Sequence, residues 1–170
     1  GVKIEPKIAL LMCSAIISDT LIFRSPTCTE MDREAGKALA EIAGINIKEH
    51  AHEMFFAGSN ISEKTAKELF TGDFKRFSIG DTTFGIGQVS CMDGEELDQV
   101  KKKVMTYMKE QYKSLGVNML YFMLTDIIKP GTELLCVGDG AMELVERAFG
   151  VQGSDDVVYL PGVVSRKKQV

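Results

Sequence analysis

Histidine and cysteine are scarce in this sequence. Its 170 residues include only two histidines and four cysteines. His50 and His52 lie two positions apart in a predicted helix, so they point in different directions, whereas metal-binding pairs on a helix are spaced by four. The cysteines are too widely spaced for a zinc pattern or a compact disulfide framework. We therefore expect surface histidines, and reduced thiols in a cytoplasmic protein.

The chain also has no excess of positive charge. Its net charge is −4 and its sequence pI is near 5.3. A general nucleic-acid-binding protein is basic over at least one face, so we expect no nucleic-acid partner. Any phosphate site must therefore be formed by a local cluster of cations.

Long hydrophobic runs are absent. The most apolar stretch, Ile8 to Phe23, is too short to span a bilayer and contains Ser14, Ser18 and Asp19. It has no basic lead-in followed by a cleavage site, so it does not indicate a signal peptide, and we expect no membrane partner. Because this segment opens the chain abruptly after Gly1, we expect it to be covered by a part of a longer parent protein.

Hydrophobic residues make up 45% and charged residues 26%, ordinary values for one globular domain, or one domain with a fragment of another. With their capping residues, the predicted helices cover Lys7–Ile22, Thr29–Ala43, Asn46–Gly58, Ser62–Phe70, Asp93–Gly116 and Ala141–Phe149. The predicted strands cover Lys75–Ile79, Thr82–Cys91, Asn118–Thr125, Glu133–Val137 and Val157–Leu160. The pattern predicts an α/β fold: a small mixed β-sheet with helices packed on it, preceded by a helical N-terminal segment. It does not predict the strand order.

Asp19 is the sharpest single candidate. It is the only acid between Lys7 and Thr29 and lies among aliphatic residues. A carboxylate in such surroundings needs a cation, a helix terminus or a metal ion as partner, because burying an unpaired charge is costly. Pairing with Arg24 or capping of a turn remains open beside a metal role.

A second candidate is the basic end of the chain, Ser165-Arg166-Lys167-Lys168. We predict a strand end here, whose guanidinium and ammonium groups bind a phosphate group. The alternative is a solvated basic tail.

Together, Ser18-Asp19-Thr20-Leu21-Ile22-Phe23-Arg24-Ser25-Pro26-Thr27-Cys28-Thr29 and Ser165-Arg166-Lys167-Lys168-Gln169 resemble the manganese-dependent, family II inorganic pyrophosphatases of the DHH phosphoesterase superfamily. The resemblance covers essentially the whole chain. It implies that Asp19 is a ligand of one active-site manganese ion, and that Arg166 and Lys167 bind substrate phosphate. Lys75, in Asp73-Phe74-Lys75, matches a further substrate lysine more weakly, and an exposed lysine at a strand start is the alternative.

The resemblance also implies a domain division. Residues 1–24 would be the last helix of a truncated catalytic DHH domain, 25–30 a linker, and 31–170 the C-terminal, DHH-associated substrate-binding domain. The Asp-His-His motif of the family does not occur in this sequence. We therefore expect a fragment that holds no metal tightly and is inactive alone, its only catalytic contribution being the metal ligand Asp19.

The implied parent enzyme hydrolyses diphosphate to two orthophosphates with Mn²⁺, with Mg²⁺ or Co²⁺ as alternatives. Its partners would be diphosphate, the missing N-terminal catalytic domain and a second copy in a homodimer, in the cytoplasm. Two alternatives remain open: a related, exopolyphosphatase-like DHH phosphoesterase, and a non-catalytic module that senses phosphate or nucleotides.

Overall fold

The computed structural model describes residues 3–59, 61, 63–91 and 94–170, which form two compact units. One unit comprises Gly1–Ser59 and Lys167–Val170, and the other comprises Asn60–Arg166. The helices are α1 (Pro6–Asp19), α2 (Glu30–Ala43), α3 (Ile47–Ser59), α4 (Ala66–Gly72), α5 (Gly94–Gln111), α6 (Ala141–Phe149) and α7 (Arg166–Gln169), with a 3₁₀ turn at Tyr112–Leu115. The strands are β1 (Phe74–Ile79), β2 (Thr82–Cys91), β3 (Met119–Asp126), β4 (Gly131–Val137) and β5 (Val157–Pro161).

In the first unit, α1 packs with α2 and α3 around a small apolar core. The core residues are Ala9, Cys13 and Ile17 of α1 with Leu39, Ala40 and Ala51. The predicted start and end of α2 are confirmed: Thr29 and Asp32 form a capping box, and Gly44 ends the helix at φ 70°. Only glycine adopts that backbone conformation without strain.

The opposite face of α1 is apolar and exposed. Ile8 is 51% exposed, Leu11 66% and Met12 45%, at helical spacing on one side. This agrees with the expectation that the helix carries apolar surface that its own domain does not cover.

A left-handed turn follows α1, so the helix ends at Asp19 and not at Ile22 as predicted. Leu21, Ile22 and Phe23 have φ of 48°, 56° and 63°. This conformation costs roughly 1–2 kcal/mol for each residue other than glycine. The Thr20 hydroxyl donates to Ile16 O at 2.6 Å and accepts from Phe23 N at 3.1 Å. The turn therefore has a buried polar anchor.

The second unit is built on a mixed five-stranded sheet in the order β1-β2-β3-β4-β5. Neighbouring strands are antiparallel except for β2 and β3, which are parallel. The predicted central strand is confirmed: β3 lies in the middle and is buried from Leu120 to Thr125. The predicted hairpin β1–β2 is also confirmed, and the α/β fold class with it.

Both faces of the sheet are covered by helices. On the first face, α4 and α5 pack on the sheet through the side chains of Phe70, Val100, Val104, Met108, Leu120, Phe122, Leu124 and Leu135. On the second face, α6 packs through the side chains of Ala141, Val145, Tyr121, Met123, Leu134, Cys136, Val158 and Leu160.

Two predictions about local structure are wrong. The basic terminus forms the short helix α7, not a strand end. Helix α4 begins after Thr65, which forms a capping box with Glu68, and not at Ser62. The main-chain N–H and the hydroxyl of Thr65 each donate a hydrogen bond to the Glu68 carboxylate, which lowers the pKa of Glu68 below its ordinary value. The predicted caps Ser62 and Asp93 lie outside the described residues.

None of the helices in the described part of the chain is long and apolar enough to cross a membrane.

Candidate functional site

The guanidinium of Arg166 contacts Asp73, which precedes β1, and Ile86 of β2, and the side chain is only 8% exposed. Its Nη1 donates to Asp73 O at 2.7 Å and to Ile86 O at 3.2 Å. Its Nη2 donates to the Asp73 carboxylate at 2.7 Å. Charge-assisted hydrogen bonds of this kind are among the strongest in proteins, so the guanidinium plane is held in one orientation.

These contacts leave part of the guanidinium available. It carries five N–H donors, and the bonds to Asp73 and Ile86 use three of them. Among the described residues, no further acceptor contacts the Nε–H and the second Nη2–H of Arg166. Two parallel N–H groups on one edge suit bidentate binding of a phosphate or carboxylate group.

A chain of polar side chains anchors the segment that precedes Arg166. On the second face of the sheet, the Gln88 amide donates to the Thr125 hydroxyl and to Val164 O, each at 3.2 Å. The Thr125 and Thr132 hydroxyls lie 3.0 Å apart, and Thr132 donates to Val163 O at 2.6 Å. Both threonines are fully buried. The network therefore fixes the backbone from which the Arg166 side chain departs.

This anchor yields a stability prediction. Thr132→Val keeps the shape of the side chain but leaves Val163 O without its donor, which costs about 1–3 kcal/mol for a buried group. We expect the urea midpoint of unfolding to fall accordingly. Thr106→Val is the matched control, because Thr106 is exposed on α5. Equal midpoints for the two variants would contradict the anchoring role.

Lys75 lies on the same part of the sheet. It pairs with Ile86 across the β1–β2 ladder, and Ile86 O is the acceptor of an Arg166 hydrogen bond. Directly opposed residues project to the same face of a sheet, so Lys75 shares the face of Ile86. The structure thus brings the backbone of Lys75 near the Arg166 guanidinium, and the phosphate-binding role of Lys75 stays a prediction.

The other two candidates, Lys167 and Asp19, are both exposed. Lys167 follows Arg166 directly in α7. Asp19 is the last residue of α1. Among the described residues, no ion pair between Asp19 and Arg24 and no turn capped by Asp19 is seen, and the metal role of Asp19 stays a prediction.

Possible metal ligands are not clustered in the described part of the chain. Within residues 3–59, 61, 63–91 and 94–170, no group of three or more His, Cys, Asp or Glu side chains is arranged to hold a metal ion. His52 is exposed, as expected. His50 departs from the expected surface position, because it is half-buried and its Nε2 lies 2.7 Å from the Ser14 hydroxyl. That hydroxyl donates to Leu10 O at 2.8 Å, so it accepts the Nε2–H of His50.

In the described part of the chain, the four cysteines are not joined by disulfide bonds. Burial raises the pKa of the Cys136 thiol to about 12, and burial also raises the pKa of Cys13. A thiol that stays protonated at neutral pH is a poor nucleophile, so these two residues are structural.

The sequence did not predict the residues that hold Arg166 and its segment. They are Asp73, Gln88, Thr125 and Thr132, together with the main-chain oxygen of Ile86. Asp73 and Arg166 are 93 positions apart, so no local pattern connects them. The available signal was the polar character of Gln88, Thr125 and Thr132 in strands that are otherwise apolar.

The fold and site define an α/β domain in which Val163, Val164 and Arg166 are anchored on a mixed five-stranded sheet. The family profile of the DHHA2 domain matches residues 52–170. The chain belongs to the DHHA2 domain family.

The similar proteins and the similar solved structure are inorganic pyrophosphatases. The chain is 46% identical over its full 170 residues to a "Probable manganese-dependent inorganic pyrophosphatase" of Clostridium acetobutylicum and covers 54% of that protein. It is 44% identical, again over its whole length, to a cobalt-dependent inorganic pyrophosphatase of Clostridium perfringens, of which it covers 31%. A crystal structure described as a Methanococcus jannaschii family II inorganic pyrophosphatase matches 99% of this chain and 55% of its own, with a TM-score of 0.83 and 42% identity. The chain therefore spans about half the length of the first of these relatives and of the solved structure.

Proposed function

We propose that the chain is the substrate-binding part of a metal-dependent inorganic pyrophosphatase, which hydrolyses diphosphate to two orthophosphates. The observation that carries the proposal is the guanidinium of Arg166, which is held by Asp73 and Ile86 while one edge with two N–H donors stays available. The similarity to pyrophosphatases over the whole chain supports it.

In this proposal, three cations bind the phosphate oxygens of the substrate. Arg166 supplies a planar, bidentate contact, whereas Lys167 and Lys75 supply point charges on flexible stems. Diphosphate carries several negative charges, and more charge develops on the leaving phosphate as the bond breaks. Fixed cations stabilise that charge and position the substrate, which is electrostatic and not covalent catalysis.

One residue of the chain also fits a metal site whose other ligands would come from elsewhere in the parent protein. Asp19 offers an exposed carboxylate, a hard oxygen ligand of the type that Mn²⁺ and Mg²⁺ prefer. It would be one ligand, and the others would come from outside the residues described. A bound Mn²⁺ ion, with Co²⁺ or Mg²⁺ as alternatives, would supply Lewis-acid activation of water and neutralise substrate charge.

The remaining parts of the proposal concern the parent protein. We place residues 1–24 in its catalytic domain, 25–30 in a linker and 31–170 in the substrate-binding domain. The exposed apolar face of α1, formed by Ile8, Leu11 and Met12, supports a catalytic domain that covers it. We further propose a cytoplasmic homodimer.

The test compares the 170-residue chain with the full-length parent protein. The parent protein should hydrolyse diphosphate with Mn²⁺ at an ordinary enzyme rate of roughly 1–1000 per second, and the chain alone should not. The reason is that metal-assisted hydrolysis needs several ligands, and among the described residues Asp19 alone is proposed as one. Release of orthophosphate is the measurement, with diphosphate and tripolyphosphate as substrates.

Each outcome separates the candidates. Turnover by the isolated chain would contradict the division of labour between the two parts. A preference of the parent protein for tripolyphosphate would favour an exopolyphosphatase-like enzyme. Binding of phosphate or nucleotide without hydrolysis by the parent protein would favour a sensing module.

A further inference from the structure

Asp73 contacts Arg166 with both of its oxygen-bearing groups. Its main-chain oxygen accepts from Nη1 at 2.7 Å, and its carboxylate accepts from Nη2 at 2.7 Å. The main chain of Asp73 is itself fixed, because the same oxygen also accepts from Gln88 N at 3.2 Å. Asp73 follows the last residue of α4 and precedes β1, so it is held between two regular elements.

These contacts orient one end of the guanidinium and leave the other end unused. Both Nη atoms are directed at Asp73 and Ile86. The edge formed by Nε–H and the remaining Nη2–H is therefore turned away from Asp73. A planar fork binds an oxyanion well only when its plane and edge are fixed, which distinguishes arginine from lysine.

Charge alone would make Asp73 a poor neighbour for an anion site. Its carboxylate is 51% exposed and opposes the approach of a negative ligand. Orientation and charge therefore predict opposite effects of removing it. If charge dominates, loss of the carboxylate strengthens substrate binding; if orientation dominates, the loss weakens it.

We propose that Asp73 is a positioning residue for substrate binding: it holds Arg166 so that the Nε edge of the guanidinium faces the phosphate group of the substrate. The inference rests on the proposed function, because it assigns a role within that same site. Orientation outweighs charge here, since the carboxylate contacts the guanidinium directly, whereas its effect on the ligand is screened by solvent.

The test uses Asp73→Asn in the full-length protein with Mn²⁺ and diphosphate. Asn keeps the size of the side chain and the main-chain contact but removes the charge-assisted hydrogen bond. We expect kcat/KM to fall about tenfold, the scale of one such bond. Asp81→Asn is the matched control, because Asp81 is exposed at the tip of the same hairpin, and it should leave kcat/KM unchanged.

A double-mutant cycle shows whether Asp73 acts through Arg166. The ammonium group of a lysine has no plane to orient, so in an Arg166→Lys background Asp73→Asn should change kcat/KM at most about twofold. A purely structural role of Asp73 would lower kcat/KM equally in both backgrounds. That result would overturn the inference, as would tighter diphosphate binding by Asp73→Asn.

Asp73→Glu provides a second variant if Asp73→Asn does not fold. It keeps the charge but lengthens the side chain by one methylene group, so positioning predicts a fall in kcat/KM and charge alone predicts none. If the wild-type parent protein hydrolyses diphosphate and all Asp73 variants match it, this inference alone fails. If the wild-type protein does not hydrolyse diphosphate, the proposed function fails.

Discussion

Asp19→Ala in the full-length protein should weaken Mn²⁺ binding and lower diphosphate turnover, each by at least about 100-fold, since loss of a ligand should cost more than the 10–100-fold typical of groups behind the ligands. The physical reason is that Asp19 would supply one hard carboxylate oxygen to the ion, and its loss would weaken the ion's binding and make a water bound to the ion less acidic. Titration with Mn²⁺ and steady-state kinetics measure the two effects.

The fold should tolerate the change. Asp19 is exposed and has no ion pair with Arg24 among the described residues, so its truncation should alter stability by no more than about 0.5 kcal/mol. Asp19 is moreover the last residue of α1, where the negative end of the helix dipole disfavours an anion. A carboxylate at a locally unfavourable position fits the proposed metal role, which the Asp19→Ala variant tests.

Glu41→Ala is the control for Asp19. Glu41 is also an exposed acid near the C-terminal end of a helix, in this case α2. It should leave Mn²⁺ affinity and turnover unchanged. A wild-type Mn²⁺ affinity and a wild-type turnover in Asp19→Ala would refute the metal role.

The second large effect is expected for Arg166→Gln, which should act on both activity and stability. Removing the guanidinium abolishes its proposed contact with the substrate phosphate, and kcat/KM of the full-length protein should fall by roughly 100-fold or more, the scale of losing one preorganised catalytic donor. The same change removes the bonds to Asp73 and Ile86, which should destabilise the domain by about 3 kcal/mol at roughly 1 kcal/mol for each bond. Kinetics and urea unfolding measure the two effects separately.

Arg76→Gln is the matched control. Arg76 is exposed and follows Lys75 in β1, so it projects to the opposite face of the sheet. We expect wild-type kcat/KM and a wild-type urea midpoint for this variant. A loss of stability without a loss of kcat/KM in Arg166→Gln would restrict Arg166 to a structural role and contradict the proposed function.

The elements that the sequence predicted well are those determined by neighbouring residues. The Thr29–Asp32 capping box, the Gly80-Asp81 hairpin and the apolar run of β3 depend on residues only a few positions apart. Their spacing is visible in the sequence, and the structure confirms them. The early end of α1 depends on backbone conformation at Leu21–Phe23, for which no glycine or proline gives a signal.

In the candidate phosphate site around Arg166, only the cations were predictable from the sequence. Arg166, Lys167 and Lys75 follow from the resemblance, and their roles stay predictions. The environment of Arg166 was not predictable, because its partners Asp73 and Ile86 become neighbours only when the strand order is known. Polar residues in buried strands, such as Thr132, have no local signature that names their partner.

The position of Lys75 on an edge strand has a consequence for handling the protein. β1 is one of the two edge strands of the sheet, and its side chains Phe77 and Ile79 are 43% and 73% exposed. Such an edge can pair with the same strand of another molecule and start aggregation, and charged side chains along it oppose this. Lys75 and Arg76 are the charges available on β1. Substitution of Lys75 should therefore lower soluble yield as well as any substrate binding, and activity comparisons of its variants require monodisperse samples.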